Sequence, residues 1–80
     1  MIIYGTDLCP DCVQCKKDLT AASVSFEYRD ISRDLKSFKE FLHLRDTEPV
    51  FAGVKEEGQI GIPAILSEDG RVCLSWDAYL

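Results

Sequence analysis

Met1-Ile2-Ile3-Tyr4-Gly5 is separated from Cys9-Pro10-Asp11-Cys12 by only three residues, and this stretch decides the fold. The apolar run predicts a central strand that is covered on both faces. Pro10 suits the first position of a helix, because its missing N–H has no intrahelical partner to lose. The sequence therefore predicts a strand that leads into a helix, with two cysteines where that helix begins.

The spacing of Cys9 and Cys12 allows them to close a small disulfide ring. We expect only the first to face outward, where the unpaired N–H groups and the positive dipole end of the helix favour a thiolate. A Cys-x-x-Cys pair near a strand–helix–strand pattern is typical of thiol–disulfide chemistry. A structural metal site and two unremarkable cysteines are the alternatives that the motif alone leaves open.

The composition is that of a small acidic globular protein. Its 80 residues are 46% hydrophobic and 29% charged, which argues against disorder and predicts one domain over residues 1–80. A net charge of −5 argues against a nucleic-acid partner, because phosphate binding needs a basic face. No apolar stretch approaches the length of a membrane span, so we expect no membrane partner.

The four cysteines indicate an intracellular protein. The start of the sequence lacks the basic and apolar regions of a secretory signal. Cysteines in such a chain are typical of thiols used for redox chemistry or metal binding, rather than of a disulfide framework. We therefore expect a cytoplasmic location.

The hydrophobic pattern predicts the element order β-α-β-α-β-β. The first helix carries an apolar stripe at steps of three and four, formed by Cys12, Cys15, Leu19 and Ala22. Residues 24–29 alternate in polarity, which predicts a half-buried strand parallel to the first. The second helix, capped by Ser32 or Asp30, places His43 on its surface. Its predicted apolar stripe consists of Leu35, Phe38, Phe41, Leu42 and the stem of Arg45.

The last third of the chain predicts a short helical turn and then a hairpin. Residues 47–61 contain that turn and end at two glycine breaks, Gly58 and Gly61. Residues 64–74 form the hairpin around an Asp-Gly turn. Within it, Cys73 points to the opposite sheet face from its neighbours, where we expect Trp76 and Tyr79 to cover it.

The pair Ile62-Pro63 stands directly before the third strand. One interpretation is simple punctuation of a turn, with the common trans bond. The other is a cis proline, which turns the preceding backbone N–H and C=O outward, where a bound peptide could pair with them. The proline gains meaning only in combination with the cysteine motif.

In combination, these features resemble the glutaredoxin branch of the thioredoxin-like superfamily. The matching residues are Cys9-Pro10-Asp11-Cys12 for the family's Cys-Pro-x-Cys and Ile62-Pro63 for its apolar residue and cis proline. The resemblance implies an α/β fold with a four-stranded mixed sheet of order 2-1-3-4 flanked by helices. With four residues after Trp76, we expect the family's final helix to be short or absent.

The resemblance implies a thiol–disulfide oxidoreductase that reduces protein or glutathione mixed disulfides. It makes Cys9 the attacking nucleophile and Cys12 the resolving thiol. The substrate-binding residues that it implies are Pro10, Asp11, Ile62, Pro63 and Asp77. Glutathione would be a co-substrate with no bound cofactor, and a flavoprotein reductase is the other possible electron donor.

Several positions depart from the family pattern. Thr6 replaces a typical lysine, and Asp11 replaces a common aromatic residue between the cysteines. Asp7 and Asp11 place negative charge beside Cys9, which opposes the helix dipole. Ser75-Trp76-Asp77 stands where the family has Gly-Gly and a polar residue that grips glutathione. These departures predict weaker glutathione binding than in basic relatives.

The alternatives to an enzyme are a non-catalytic binding or redox-sensing module and a metal-binding protein. An iron–sulfur run would need a cysteine at Leu19, and zinc would need Cys73 to reach Cys9 and Cys12, so we expect no metal. We interpret Cys15 as a buried core thiol, with a second resolving thiol as the alternative. A monomer or weak homodimer is expected.

Overall fold

The computed structural model describes all 80 residues and contains one four-stranded mixed sheet. Its strands are β1 (Ile2–Gly5), β2 (Glu27–Asp30), β3 (Ala64–Leu66) and β4 (Val72–Cys73). The order across the sheet is β2-β1-β3-β4. β1 runs parallel to β2 and antiparallel to β3, and β3 pairs with β4 as an antiparallel hairpin. The predicted sheet and strand order are confirmed.

Three helices complete the fold: α1 (Pro10–Ala21), α2 (Leu35–Thr47) and α3 (Ala52–Glu56). A 3-10 turn at Pro49–Phe51 leads into α3, so the helical turn predicted within residues 47–61 is confirmed. After β4 the chain forms only a 3-10 turn at Asp77–Tyr79, as expected for a short or absent final helix. None of the helices has the length and apolar character that a membrane crossing requires.

The core is divided by the sheet into two clusters. Successive residues of a strand point to opposite faces, so Ile3 and Tyr4 of β1 contribute to different clusters. The α1 cluster consists of Ile3, Cys15, Leu19 and Ile65. The α2 cluster consists of Tyr4, Phe41, Phe51 and Ala64. One sheet face is therefore covered by α1 and the other by α2 and the 3-10 turn before α3.

The predicted stripe of α1 is confirmed over most of its length. Cys12, Cys15 and Leu19 are buried. Ala22 is exposed, because α1 ends at Ala21 and the chain turns away there. The helix thus presents two cysteines of its first two turns to the sheet.

The C-terminal segment packs beside α1. Cys73, Trp76 and Tyr79 all contact the α1 cluster, which confirms the predicted cover. The Trp76 indole Nε1 donates a hydrogen bond of 2.8 Å to Asp18 Oδ2. This bond ties the end of the chain to the outer side of α1.

The buried face of α2 differs from the predicted stripe. Phe41 is buried as expected, but Ser37 is the other buried residue, while Leu35 is 65% exposed and Phe38 is also exposed. The cap is Asp34 rather than Ser32 or Asp30. Asp34 Oδ2 accepts hydrogen bonds from the Ser37 amide (3.2 Å) and hydroxyl (2.6 Å), and this pairing permits a serine in the core. His43 is exposed, as predicted.

The Asp34 cap predicts an acid-sensitive contribution to stability. The hydrogen bond from Ser37 holds the pKa of Asp34 below its ordinary value of 3.8. The stabilisation is therefore complete above that value and is lost as the pH falls through the lower native value. We expect Asp34→Asn to reduce the free energy of unfolding more at pH 6 than at about pH 2.5, measured by urea unfolding. Asp46→Asn, at an exposed α2 position, is the control, and an equal loss at both pH values for Asp34→Asn would contradict the prediction.

The second strand begins later than predicted. β2 starts at Glu27, because β1 has only four residues and its register pairs Ile2 with Glu27. Val24 and Phe26 precede the strand but still pack against the α1 cluster. The period-two pattern therefore identified the buried side chains correctly and extended the strand by three residues.

Candidate active site

Cys9 is the N-cap residue of α1. Its backbone is extended (φ −101°, ψ 118°), Pro10 occupies the first helical turn, and no side chain accepts the cap hydrogen bond. A side chain at this position lies near the first-turn amide groups, at the positive end of the helix. The local sequence thus builds the helix start that it predicts.

Thr6 holds the loop that carries Cys9. Its carbonyl accepts a hydrogen bond from the Cys9 amide (3.1 Å), and its Oγ1 accepts one from the Leu8 amide (3.3 Å). Thr6 Oγ1 also lies 2.9 Å from Ser32 Oγ, which links the loop to the segment before α2. These bonds fix the approach of the chain to the N-terminus of α1.

The two cysteines of the motif differ in exposure. Cys9 is half-buried, whereas Cys12 is fully buried one turn into α1, and the expected order is confirmed. Burial raises the pKa of the Cys12 thiol well above its usual range, the adjacent Cys9 thiol raises it further, and a backbone hydrogen bond from Thr6 acts in the opposite direction. Cys12 is therefore a protonated thiol near neutral pH.

Gly5 makes room for the buried thiol. A Cβ at this position would lie 2.8 Å from Cys12 Sγ and 3.1 Å from Tyr28 Oη, closer than ordinary packing allows. The end of β1 must therefore be glycine for α1 to bring Cys12 this near to the sheet.

The negative charges near Cys9 are not equivalent. Lys16 Nζ lies 2.7 Å from Asp7 Oδ1 and 4.0 Å from the centroid of the Tyr28 ring. The hydrogen bond from Lys16 lowers the pKa of Asp7, which is thus a compensated charge. Asp11 is exposed and has no ion-pair partner. Of the two carboxylates that the sequence places beside Cys9, only Asp11 remains uncompensated.

A groove of about 620 Å³ opens beside Cys9. The Ile62–Pro63 peptide bond that borders it is cis, as the functional interpretation of that pair required. No charged side chain lines the groove. The lining residues are Thr6, Leu8, Cys9, Val54, Gly58, Gln59, Ile60, Gly61, Ile62 and Leu74.

The predicted site residues fall into two groups. Cys9 and Ile62 meet in the groove, with Pro63 buried behind Ile62 and Cys12 buried behind Cys9. Pro10, Asp11 and Asp77 are exposed and lie outside the groove lining, the first two on α1 and the last in the C-terminal 3-10 turn.

The sequence interpretation missed the residues that shape the rest of the groove. Leu8 is 85% exposed and Ile60 is 56% exposed, both beside Cys9 in space. Arg45 holds the backbone of the groove-lining residues Gln59 and Ile60. Its Nε donates to the Ile60 carbonyl (2.9 Å) and its Nη2 to the Gln59 carbonyl (2.7 Å). The sequence does carry a signal for them, because a large apolar residue stands next to each motif, Leu8 before Cys9 and Ile60 before Ile62-Pro63.

The remaining cysteines belong to the core. Cys15 is fully buried, and burial raises the pKa of its thiol to about 11, with smaller contributions from Asp18 and Cys73. Cys73 Sγ donates to the Ser75 carbonyl at 3.2 Å. The structure gathers no group of three cysteine, histidine or acidic side chains suited to a metal ion.

Comparison with known proteins agrees with this geometry. An uncharacterized protein of Haemophilus influenzae is 33% identical over 73 residues, which cover 91% of this chain and 85% of that protein. No solved structure matches the chain significantly. A family model described as glutaredoxin matches residues 1–70, a span that contains the cysteine pair, the cis proline and most of the sheet. The chain therefore belongs to the glutaredoxin family.

Proposed function

We propose that this protein is a dithiol oxidoreductase that reduces disulfides through Cys9 and Cys12. The observation that carries the proposal is the asymmetry of the pair, with one sulfur open to a groove at a helix N-cap and the other fully buried one turn along the same helix. Thiol–disulfide exchange requires this division between an accessible thiolate and a protected second thiol.

In the first step, the Cys9 thiolate attacks one sulfur of the substrate disulfide. A bond forms between Cys9 Sγ and that sulfur, the substrate S–S bond breaks, and the leaving thiolate takes a proton from solvent. The product is a mixed disulfide on Cys9.

In the second step, Cys12 loses its proton and attacks the sulfur of Cys9. The Cys9–Cys12 disulfide forms and the bound substrate half leaves as a second thiol, so two electrons have passed from the protein to the substrate. The raised pKa of Cys12 keeps this thiol from competing with Cys9 for incoming disulfides. Two thiols such as glutathione, which are joined in glutathione disulfide, or a flavoprotein reductase would then reduce the Cys9–Cys12 bond and close the cycle.

The remaining site residues would position the substrate. Ile62 lines the groove, where its backbone would pair with the substrate cysteine, and the buried Pro63 would hold that segment in place. Pro10 starts α1, and the exposed Asp11 would face the incoming disulfide. Asp77 stands outside the groove and would contact only a ligand that extends beyond it.

A paired reductase assay tests the proposal. We expect the protein to reduce hydroxyethyl disulfide when coupled to glutathione and glutathione reductase, to a flavoprotein thioredoxin reductase, or to both. The coupling system that supports turnover identifies the electron donor. An absence of turnover with both donors, for protein whose four thiols are titrated as reduced, would favour a binding module. One zinc per chain in elemental analysis would favour the metal alternative.

The neutral groove predicts that an added cation improves glutathione use. The Gln59 side chain makes no hydrogen bond, so Gln59→Lys adds a charge without breaking a contact, whereas a lysine at Thr6 would lose both Thr6 side-chain bonds. Glutathione is anionic, and we expect KM for a glutathione mixed disulfide to fall about two- to fivefold at low salt. Gln59→Glu should raise KM, and hydroxyethyl disulfide should respond to neither change. Equal KM values for the three proteins would contradict the prediction.

A further inference from the structure

We propose that the preferred substrate is a protein disulfide whose reacting cysteine is flanked by an apolar side chain, and that this side chain docks between Leu8 and Ile60. The inference rests on the proposed function of Cys9 and names its substrate class. Three observations support it: the groove is neutral, an apolar ridge at Ile60 continues past the groove, and the fold holds that ridge in place.

The groove offers apolar contact and no charge. Leu8 and Ile60 expose most of their surface and line the same groove as Cys9, and Leu74 lines it too. Large apolar side chains exposed together around a reactive group are typical of a surface that binds a partner. A leucine or valine beside the substrate cysteine would bury its surface here, which is favourable at about 25 cal/mol per Å².

The apolar surface extends beyond the groove. A second crevice of about 320 Å³ shares Gly58, Gln59 and Ile60 with the groove. Phe38, Leu42 and Arg45 of α2 also line it, and the Arg45 guanidinium is engaged with the Gln59 and Ile60 carbonyls. Ile60 is thus a ridge between two crevices. The exposure of the Phe38 side chain fits this arrangement, because Phe38 continues the apolar surface away from Cys9. A polypeptide can contact both crevices, whereas a tripeptide disulfide held at Cys9 occupies the first.

The ridge is held in place before any partner arrives. Arg45 binds the carbonyls of Gln59 and Ile60, and the Gln59 amide donates to the Val54 carbonyl at 2.8 Å. Gly61 packs directly on the Phe51 ring, where a Cβ would come within 2.8 Å of it. A preorganised surface loses little conformational entropy on binding, so contact with Ile60 is available for affinity.

Charge separates the two candidate ligands of the groove. Glutathione carries carboxylates, and no cation lines the groove to receive them. Lys16 is engaged with Asp7, and the exposed Asp11 adds a repulsive charge at the helix start. A neutral apolar peptide avoids this repulsion and gains the burial that an anionic tripeptide lacks.

Three disulfides test the inference in single-turnover reactions with the reduced protein. The first is a dimer of a five-residue neutral peptide with leucine on each side of its cysteine, the second has serine at those positions, and the third is hydroxyethyl disulfide. We expect the leucine peptide to react about tenfold faster than the serine peptide, as burial of part of an aliphatic side chain predicts. Ile60→Ser should remove most of the rate difference between the leucine and serine peptides.

Leu35→Ser is the matched control, because Leu35 is as exposed as Ile60 but lies outside both crevices. It should keep the full preference for the leucine peptide. Equal rates for the two peptides, with hydroxyethyl disulfide still reduced, would overturn the inference and leave the proposed function standing. Failure to reduce any of the three would overturn both. If the wild-type protein sediments as a stable dimer and Ile60→Ser sediments as a monomer, a second copy covers the ridge. That result would also overturn the inference.

Discussion

We expect Cys9→Ser to abolish disulfide reduction and Cys12→Ser to leave the substrate attached to Cys9 as a mixed disulfide. Serine at position 9 removes the only groove-lining sulfur, and its hydroxyl does not ionise near neutral pH. Serine at position 12 leaves the first step intact and removes the thiol that resolves the mixed disulfide. The two variants therefore fail at successive steps of the same reaction.

Intact-mass measurement and peptide mapping separate these outcomes. After exposure to a disulfide, Cys12→Ser should carry one substrate adduct on Cys9, and Cys9→Ser should carry none at the site. Cys73→Ser is the control, because a serine hydroxyl can also donate to the Ser75 carbonyl, and it should retain full activity. An adduct that forms on Cys12 or Cys15 in preference to Cys9 would refute the assignment of the nucleophile.

Phe51→Ala should cause the largest loss of stability among single substitutions outside the cysteine pair. Phe51 is fully buried, and its ring lies 5.9 Å from the Phe41 ring in an edge-to-face arrangement. Truncating a buried phenylalanine costs roughly 3–5 kcal/mol, a large part of the roughly 5–15 kcal/mol that stabilises a small domain. Because Gly61 packs on the same ring, the substitution should also loosen the wall of the groove.

Unfolding in guanidinium chloride measures the loss of stability in Phe51→Ala. Val50→Ala is the control, since Val50 precedes Phe51 in the same 3-10 turn but is exposed, and it should change the free energy of unfolding by less than about 0.5 kcal/mol. A loss below about 1 kcal/mol for Phe51→Ala would show that the α2 cluster can collapse into the vacated space. It would also place residues 49–56 outside the cooperative core.

The parts of the fold that were predictable depend on local chemistry. Pro10 fixes the start of α1, and the Asp69-Gly70 pair turns the hairpin with Gly70 at φ +89°. The strand order then follows from a crossover helix and a hairpin. Cys9 and Ile62 were recognisable as site residues because each stands beside such a signal.

The parts that were not predictable depend on specific polar contacts between side chains. Asp34 caps α2 through its bonds to Ser37, which permit a serine to be buried in place of a larger apolar residue. Compensation of the Asp7 charge depends on Lys16, nine positions away, and the ridge depends on Arg45 reaching Gln59 and Ile60. Periodicity within one element carries no information about these pairings.

The bond between Trp76 and Asp18 gives the protein a built-in optical probe. Trp76 is the sole tryptophan of the chain, and its indole is held against α1, the helix that carries Cys9 and Cys12. Intrinsic fluorescence therefore reports one defined location without any dye or engineered label. We expect detachment of the C-terminal segment from α1 to change the Trp76 emission of the unmodified protein.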